Sequence, residues 1–282
     1  MYYAMDDMGD DNVKTLMEAR NTSEKWGLIH RVASGFGFTG IQLGHKYQDT
    51  FGLSLTDIPD FIRSSFRLTY HPGGIENVLQ LNNDDDEQRW RKLLSESLDI
   101  AAATGVEDVS LHPPVLADLS QLPLLNEDKS SKRSMKIKER LSTVLSSWLP
   151  RFQDNGITLS LETHVTPRVF AFSGIQDFHD FVLSLPGLGV LIDVSHNYYD
   201  GYDVAEVIAT LKPLTITGFH LSDAVRGREL RDGNHLVIGQ GHVDFKSVRE
   251  LFDADNTVYG ALEVKGPACG ITDSLARLHT LE

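Results

Sequence analysis

The sequence predicts a (β/α)8 barrel, and three observations carry that expectation. Short β-prone runs alternate with helical stretches along the whole chain. Eight such pairs fill 282 residues, close to the roughly 250 residues usual for this architecture. Ionisable residues fall repeatedly at the C-terminal ends of the strands, which form the mouth of such a barrel. The rival is a doubly wound open sheet, which usually carries a Gly-rich phosphate loop after its first strand. Here Gly35-Phe36-Gly37 falls at a helix end and reads as a C-cap, and the chain has no Walker sequence and no Gly-x-Ser-x-Gly elbow.

In chain order the predicted strands are 2–5, 40–43, 67–71, 108–112, 158–162, 190–193, 216–220 and 260–263. The predicted helices are 23–36, 56–64, 85–103, 132–153, 173–185, 204–211, 245–252 and 272–281. Ser173 is placed to cap the fifth of these, and Thr56, ahead of Asp57 and Pro59, suits the start of the second. Gly105 and Asn155-Gly156 are stop signals. The acidic run Asn82–Glu87 reads as a solvated helix entry, and the basic stretch Lys129–Arg140 as a solvated helix face. No interdomain linker is visible, so residues 1–282 are read as one domain.

Composition excludes several classes. Hydrophobic residues make up 41%, enough for a full core, which rules out wholesale disorder. The single cysteine, Cys269, excludes a disulfide framework and a Cys-based zinc site within one chain. A net charge of -14 argues against broad nucleic-acid or anionic-membrane binding. No apolar run approaches the roughly 18 residues of a membrane span. Met1–Asp11 is acidic rather than basic and apolar, so no secretory leader is read and a cytoplasmic protein is expected.

Chemistry gathers at the strand ends. The third strand ends in His71, the fourth in His112, the fifth in Glu162, the sixth in Asp193, the seventh in His220 and the eighth in Glu263. Period-two alternation puts Thr158, Ser160, Glu162 and His164 on one face, the lumen, and Ile157, Leu159 and Leu161 under the helices. A carboxylate is costly to bury alone. Several strand ends carrying only His, Asp and Glu are better explained by a shared cation. Glu162, Asp193, His220 and Glu263 come from four neighbouring strands and can converge on it. Mixed oxygen and imidazole donors suit Mn²⁺, Zn²⁺, Co²⁺ or Fe²⁺ better than Ca²⁺. Mn²⁺ or Zn²⁺ leads, with Co²⁺ or Mg²⁺ behind.

These residues carry a family resemblance. Tyr70-His-Pro-Gly73, Leu111-His-Pro113, Leu161-Glu162, the run Ile192–Asp203, Phe219-His-Leu-Ser-Asp223, the run Asp232–Gly241 and Leu262-Glu263 together resemble the xylose isomerase-like TIM barrel superfamily. That superfamily spans sugar-phosphate isomerases and epimerases and the endonuclease IV type of apurinic-site nuclease. The epimerase branch implies a metal on Glu162, Asp193, His220 and Glu263. It makes Glu162 and Glu263 an acid/base pair, and has His196 and a loop arginine, for which Arg228 is preferred, grip the substrate. His71, His112 and His164 are further candidates for substrate contacts.

The nuclease branch implies a multinuclear zinc cluster that adds His71, His112, His196, Asp232 and His235. Three features weaken it: two residues rather than one between Asp232 and His235, Pro-Pro after His112, and the acidic charge. The leading expectation is a metal-dependent sugar or sugar-phosphate isomerase/epimerase acting on a small molecule, with a homodimer as the base-rate assembly. The alternatives are the apurinic-site phosphodiesterase and a non-catalytic barrel that binds a small molecule. Lys265 and His242 are weighed as loop contacts, and Trp26, Trp90 and Trp148 as core anchors.

Overall fold

The computed structural model describes residues 2–5, 10–72, 79–116, 127–164, 169–228, 230–254 and 258–280. Its parallel strands close into a barrel in strict chain order. They are β1 (Tyr2–Met5), β2 (Gly40–Leu43), β3 (Arg67–Tyr70), β4 (Asp108–Leu111), β5 (Thr158–Glu162), β6 (Leu188–Asp193), β7 (Ile216–Leu221) and β8 (Tyr259–Leu262). The ring closes where β8 pairs with β1, from Tyr2↔Tyr259 to Met5↔Leu262. Every predicted strand is present: β1, β2 and β5 have the predicted bounds, and the other strands have ends shifted by one or two residues. Strands β3, β4 and β8 stop one residue before His71, His112 and Glu263, so these three stand just beyond the ladder at the rim.

The helices are α1 (Asp10–Glu18), α2 (Thr22–Phe36), α3 (His45–Asp49), α4 (Asp60–Ser65), α5 (Asp84–Thr104), α6 (Glu127–Asp154), α7 (Ile175–Leu183), α8 (Val194–Tyr199), α9 (Val204–Leu211), α10 (Leu230–Gly233), α11 (Lys246–Ala254) and α12 (Ala268–Thr280). Each main helix lays one stripe on the strands. In α6, Ile137, Leu141, Val144, Leu145, Trp148 and Phe152 are buried at helical spacing. Burying each large apolar side chain contributes about 1.5–3 kcal/mol. Trp26, Trp90 and Trp148 are core anchors as expected. The basic stretch lies on α6, where Lys138 pairs with Asp177 and Arg140 with Asp84 and Glu87.

Caps fix the ends. Asn83 Oδ1 accepts from the Asp86 amide at 2.9 Å to start α5, and Gly105 ends it in the left-handed region at φ 76°. Gly37, at φ 83°, ends α2, which bears out the C-cap reading of Gly35-Phe36-Gly37. Two predicted caps are corrected. Helix α7 begins after Gly174, and Ser173 donates its hydroxyl and amide to Asp177 rather than accepting from the first turn. Helix α4 begins after Pro59, while the Thr56 hydroxyl pairs with Ser54. In both places a nearer partner took the hydroxyl.

Beneath the rim the lumen is packed solid. Ala4, Leu191, Tyr259 and Ala261 form one buried cluster inside the barrel. Gly218 is required there, because a Cβ would sit 2.6 Å from the Tyr259 ring. The Tyr259 hydroxyl donates to Asp108 Oδ1 at 2.9 Å, and the Ser160 hydroxyl donates to Oδ2 at 3.2 Å. Burial pushes the Asp108 carboxyl up from 3.8 to about 6, against the pull of those donors. The folded state therefore holds this proton more tightly than the unfolded chain. The cost of burying the charge is absent below pH 4, grows as pH rises from about 4 to about 6, and is constant above. At about 1.4 kcal/mol per pKa unit it approaches 3 kcal/mol. Asp108→Asn keeps an acceptor for Tyr259 and removes the charge. It is expected to raise the melting temperature at pH 7 and to flatten the stability profile between pH 4 and 6. Calorimetric melts across that range check this; an unchanged slope would assign the pH dependence elsewhere.

Candidate metal centre

Barrel alternation carries the donors to one place. Glu162 ends β5, Asp193 ends β6 and His220 lies near the end of β7, all buried and all on the lumen face. One donor atom from each lies within 4.8 Å of the others. Glu263 stands one residue past β8, with its side chain one-third exposed. Its Oε2 is 3.3 Å from His220 Nδ1 and 3.8 Å from His235 Nδ1. It thus reaches the group through His220 and joins none of the tight donor sets among the described residues.

Glu162 is the hub. Its Oε2 lies 3.2 Å from His112 Nε2 and 3.5 Å from His71 Nε2, and its Oε1 lies 3.0 Å from His164 Nε2 and 3.5 Å from His220 Nδ1. Burial alone would raise its pKa, but His112, His220 and His164 outweigh it and hold the carboxyl well below the usual range. Asp193 has two jobs. It caps α8, accepting on Oδ1 from the His196 amide at 2.8 Å and the Ser195 hydroxyl at 2.9 Å, and that leaves Oδ2 facing the lumen. This cap is why a helix begins directly at a strand end, which the predicted elements lacked.

Glu162, Asp193 and His220 each have a buried atom that makes no hydrogen bond among the described residues: Glu162 Oε2, Asp193 Oδ2 and His220 Nδ1. Unsatisfied polar atoms cost about 1–3 kcal/mol each. A shared cation removes that cost, so the residues fit a divalent metal. Burial opposes charging of His220, yet Glu162, Glu263 and Asp193 outweigh it and raise the ring to about 10. A ring that is this basic because carboxylates face its free nitrogen is one from which a cation displaces a proton. His71 is prepared differently. Its Nδ1 donates to the Ser110 carbonyl at 3.0 Å, so its lone pair is on Nε2, toward Glu162. Burial, then the neighbouring His112, pushes its pKa well down.

A string of imidazoles runs along one side. His164 Nε2 meets Glu162 Oε1, His164 Nδ1 meets His196 Nδ1 at 2.8 Å, His196 Nε2 meets His235 Nε2 at 3.0 Å, and His235 Nδ1 meets the Glu263 carbonyl at 3.2 Å. Both ends of the string only accept. Four contacts need four protons, and three neutral rings carry three. The extra proton fits His164: burial lowers its pKa, but Glu162 outweighs that and raises it. His196 and His235 are pushed down, by burial first. His235 is also the one non-glycine residue with positive φ, 56°, among the described residues, a strain of the kind that gathers at functional sites.

The other candidates separate cleanly. Asp232 is exposed on α10 and belongs to no donor group among the described residues, so the structure does not bring it to the nuclease-type set. Arg228 is exposed on the loop after β7. Arg226 is engaged elsewhere, donating to Tyr198 and Asp203 and lying over the Tyr198 ring. Lys265 and His242 are exposed. Sequence reasoning missed Phe170, stacked on His164 at 4.5 Å, and Gln42, whose Oε1 is 3.0 Å from His220 Nε2. The signal for Gln42 was its polarity between Ile41 and Leu43 in a short buried strand; Phe170 lies outside any predicted element and left none.

Residues 31–281 match the family described as xylose isomerase-like TIM barrel. Among solved structures, 3-keto-D-glucoside 4-epimerase YcjR from E. coli is 17% identical with a TM-score of 0.72, covering 100% of both chains. A D-tagatose 3-epimerase-like protein is 18% identical with a TM-score of 0.73, over 99% of this chain and 96% of that one. The IolI protein, described with a binding zinc atom, is 15% identical with a TM-score of 0.70, over 98% and 96%. At these identities the likeness is one of fold. No curated protein matches the chain.

Proposed function

Because the chain belongs to the xylose isomerase-like TIM barrel family, we propose that it is a divalent-metal-dependent sugar or sugar-phosphate isomerase or epimerase. The observation that carries the reading is the convergence of Glu162, Asp193 and His220, each with a buried atom left without a hydrogen bond. Epimerase relatives of the same fold, and a relative described with zinc, support it. Glu162, Asp193, His220 and Glu263 are the proposed ligands, with Mn²⁺ or Zn²⁺ as the ion. When bound, it would polarise a carbonyl and its neighbouring hydroxyl and acidify the C–H between them.

Glu162 and Glu263 are the proposed acid/base pair. Glu162 is held ionised by its imidazole neighbours, so it is present as the unprotonated form that a general base requires. Glu263 approaches His220 at the rim, where its side chain is one-third exposed to solvent. His71, His112, His164 and His196 are the proposed substrate contacts, with the His71 Nε2 lone pair placed to accept from a sugar hydroxyl, and Arg228 is the proposed contact from the loop after β7. The test is carbon-bound deuterium. Zinc- or manganese-loaded protein in D₂O, given free and phosphorylated ketoses, is expected to place deuterium next to the carbonyl. Absence of wash-in from every ketose and aldose tried would remove the reading.

A second reading, the apurinic-site phosphodiesterase with several zinc ions, draws on two further donor groups, His71–His112–Glu162 and Asp193–His196–His235. The outlying Asp232 and the net charge of -14 count against it. Three zinc ions per chain together with nicking of abasic-site DNA would install it; one ion per chain favours the isomerase.

A further inference from the structure

Gln42 lies in β2 with no exposed surface. Its Oε1 stands 3.0 Å from His220 Nε2, a contact from β2 to β7 across 178 residues of chain. The other ring nitrogen, Nδ1, faces Glu263 Oε2 at 3.3 Å, Glu162 Oε1 at 3.5 Å and Asp193 Oδ2 at 3.8 Å, and makes no hydrogen bond. An amide oxygen can only accept, so Nε2 carries a proton and the neutral ring keeps its lone pair on Nδ1. That tautomer can join the carboxylates in binding a cation. The other would aim an N–H at the ion.

The amide is placed for its oxygen. Its Nε2 is buried without a hydrogen bond, and Thr69, directly opposite on β3, has a buried hydroxyl in the same condition. The amide is therefore not held by its neighbour on the sheet. A buried donor left unsatisfied calls for a reason, and the contact with His220 supplies one.

We infer that Gln42 is a positioning residue that holds His220 in the Nδ1-ligand tautomer. The inference rests on the metal-site reading above and adds the residue that aims one of its ligands. Gln42→Met keeps the length of the side chain and removes the acceptor, whereas Gln42→Glu keeps an accepting oxygen. Zinc dissociation constants, measured by competition with a chelator, are expected to rise about 10–100-fold in Gln42→Met and to stay at or below the wild-type value in Gln42→Glu. Ring ¹⁵N spectra of zinc-loaded wild type are expected to show His220 protonated at Nε2 and bound through Nδ1.

Wild-type zinc affinity in Gln42→Met overturns the inference alone. So does a wild-type spectrum with the proton on Nδ1, which decides the matter even if Gln42→Met does not fold. Wild-type protein that takes up no zinc overturns the metal reading, and this inference with it.

Discussion

Glu162→Gln is expected to lose the bound ion and the proton exchange together, with turnover falling by about 10⁴-fold. The substitution changes almost no volume, so its effect is electrostatic. It removes a charge that four imidazole nitrogens approach within 3.5 Å. An amide presents one weak acceptor and one donor, and the donor opposes both a cation and the His164 N–H. With the Glu162 carboxylate gone, His164 loses the main charge that raises it and His220 loses one of three, and uncompensated buried charge costs about 3–5 kcal/mol. The variant is thus expected to fold with a lowered melting temperature, no stoichiometric metal by elemental analysis, and no deuterium wash-in. Full metal content in this variant would contradict the ligand assignment, whatever happened to turnover.

The second large effect is that of removing the ion. Chelation is expected to abolish activity, and Mn²⁺ or Zn²⁺ to restore it. A ligand that binds only the folded state adds about 4 kcal/mol at a free concentration of about 1,000 times its dissociation constant. For a chain of this size that corresponds to a melting temperature shift on the order of 10 °C. The sign with pH follows from His220. Its pKa of about 10 means that near neutrality the ion must displace a proton, so zinc affinity rises with pH through the neutral range. Melts over a graded series of free zinc at pH 6 and pH 8 test both statements. A melting temperature indifferent to zinc would remove the cation from the account.

Much of this was legible in the chain because a barrel repeats one instruction. Strands such as Thr158–Glu162 alternate between lumen and helix faces, so parity alone sent Glu162 and His164 inward. The same parity sent Asp193 and His220 to meet it. The short helices were not legible, because local contacts rather than periodicity make them: α8 exists because Asp193 caps it. Ser173 and Thr56 look like caps in isolation, and only the fold reveals Asp177 and Ser54 as better partners. Asp232 has the right residue type at nearly the right spacing, yet α10 leaves it in solvent. The string from His164 through His196 to His235 joins three separate chain segments, so no local window contains it.

The plug formed by Tyr259, Asp108, Ser160, Leu191 and the small residues Ala4 and Ala261 fills the lumen beneath the proposed site. In the proposed enzyme, substrate and product would then share the opening at the rim. A product molecule would therefore block the next substrate until it had left.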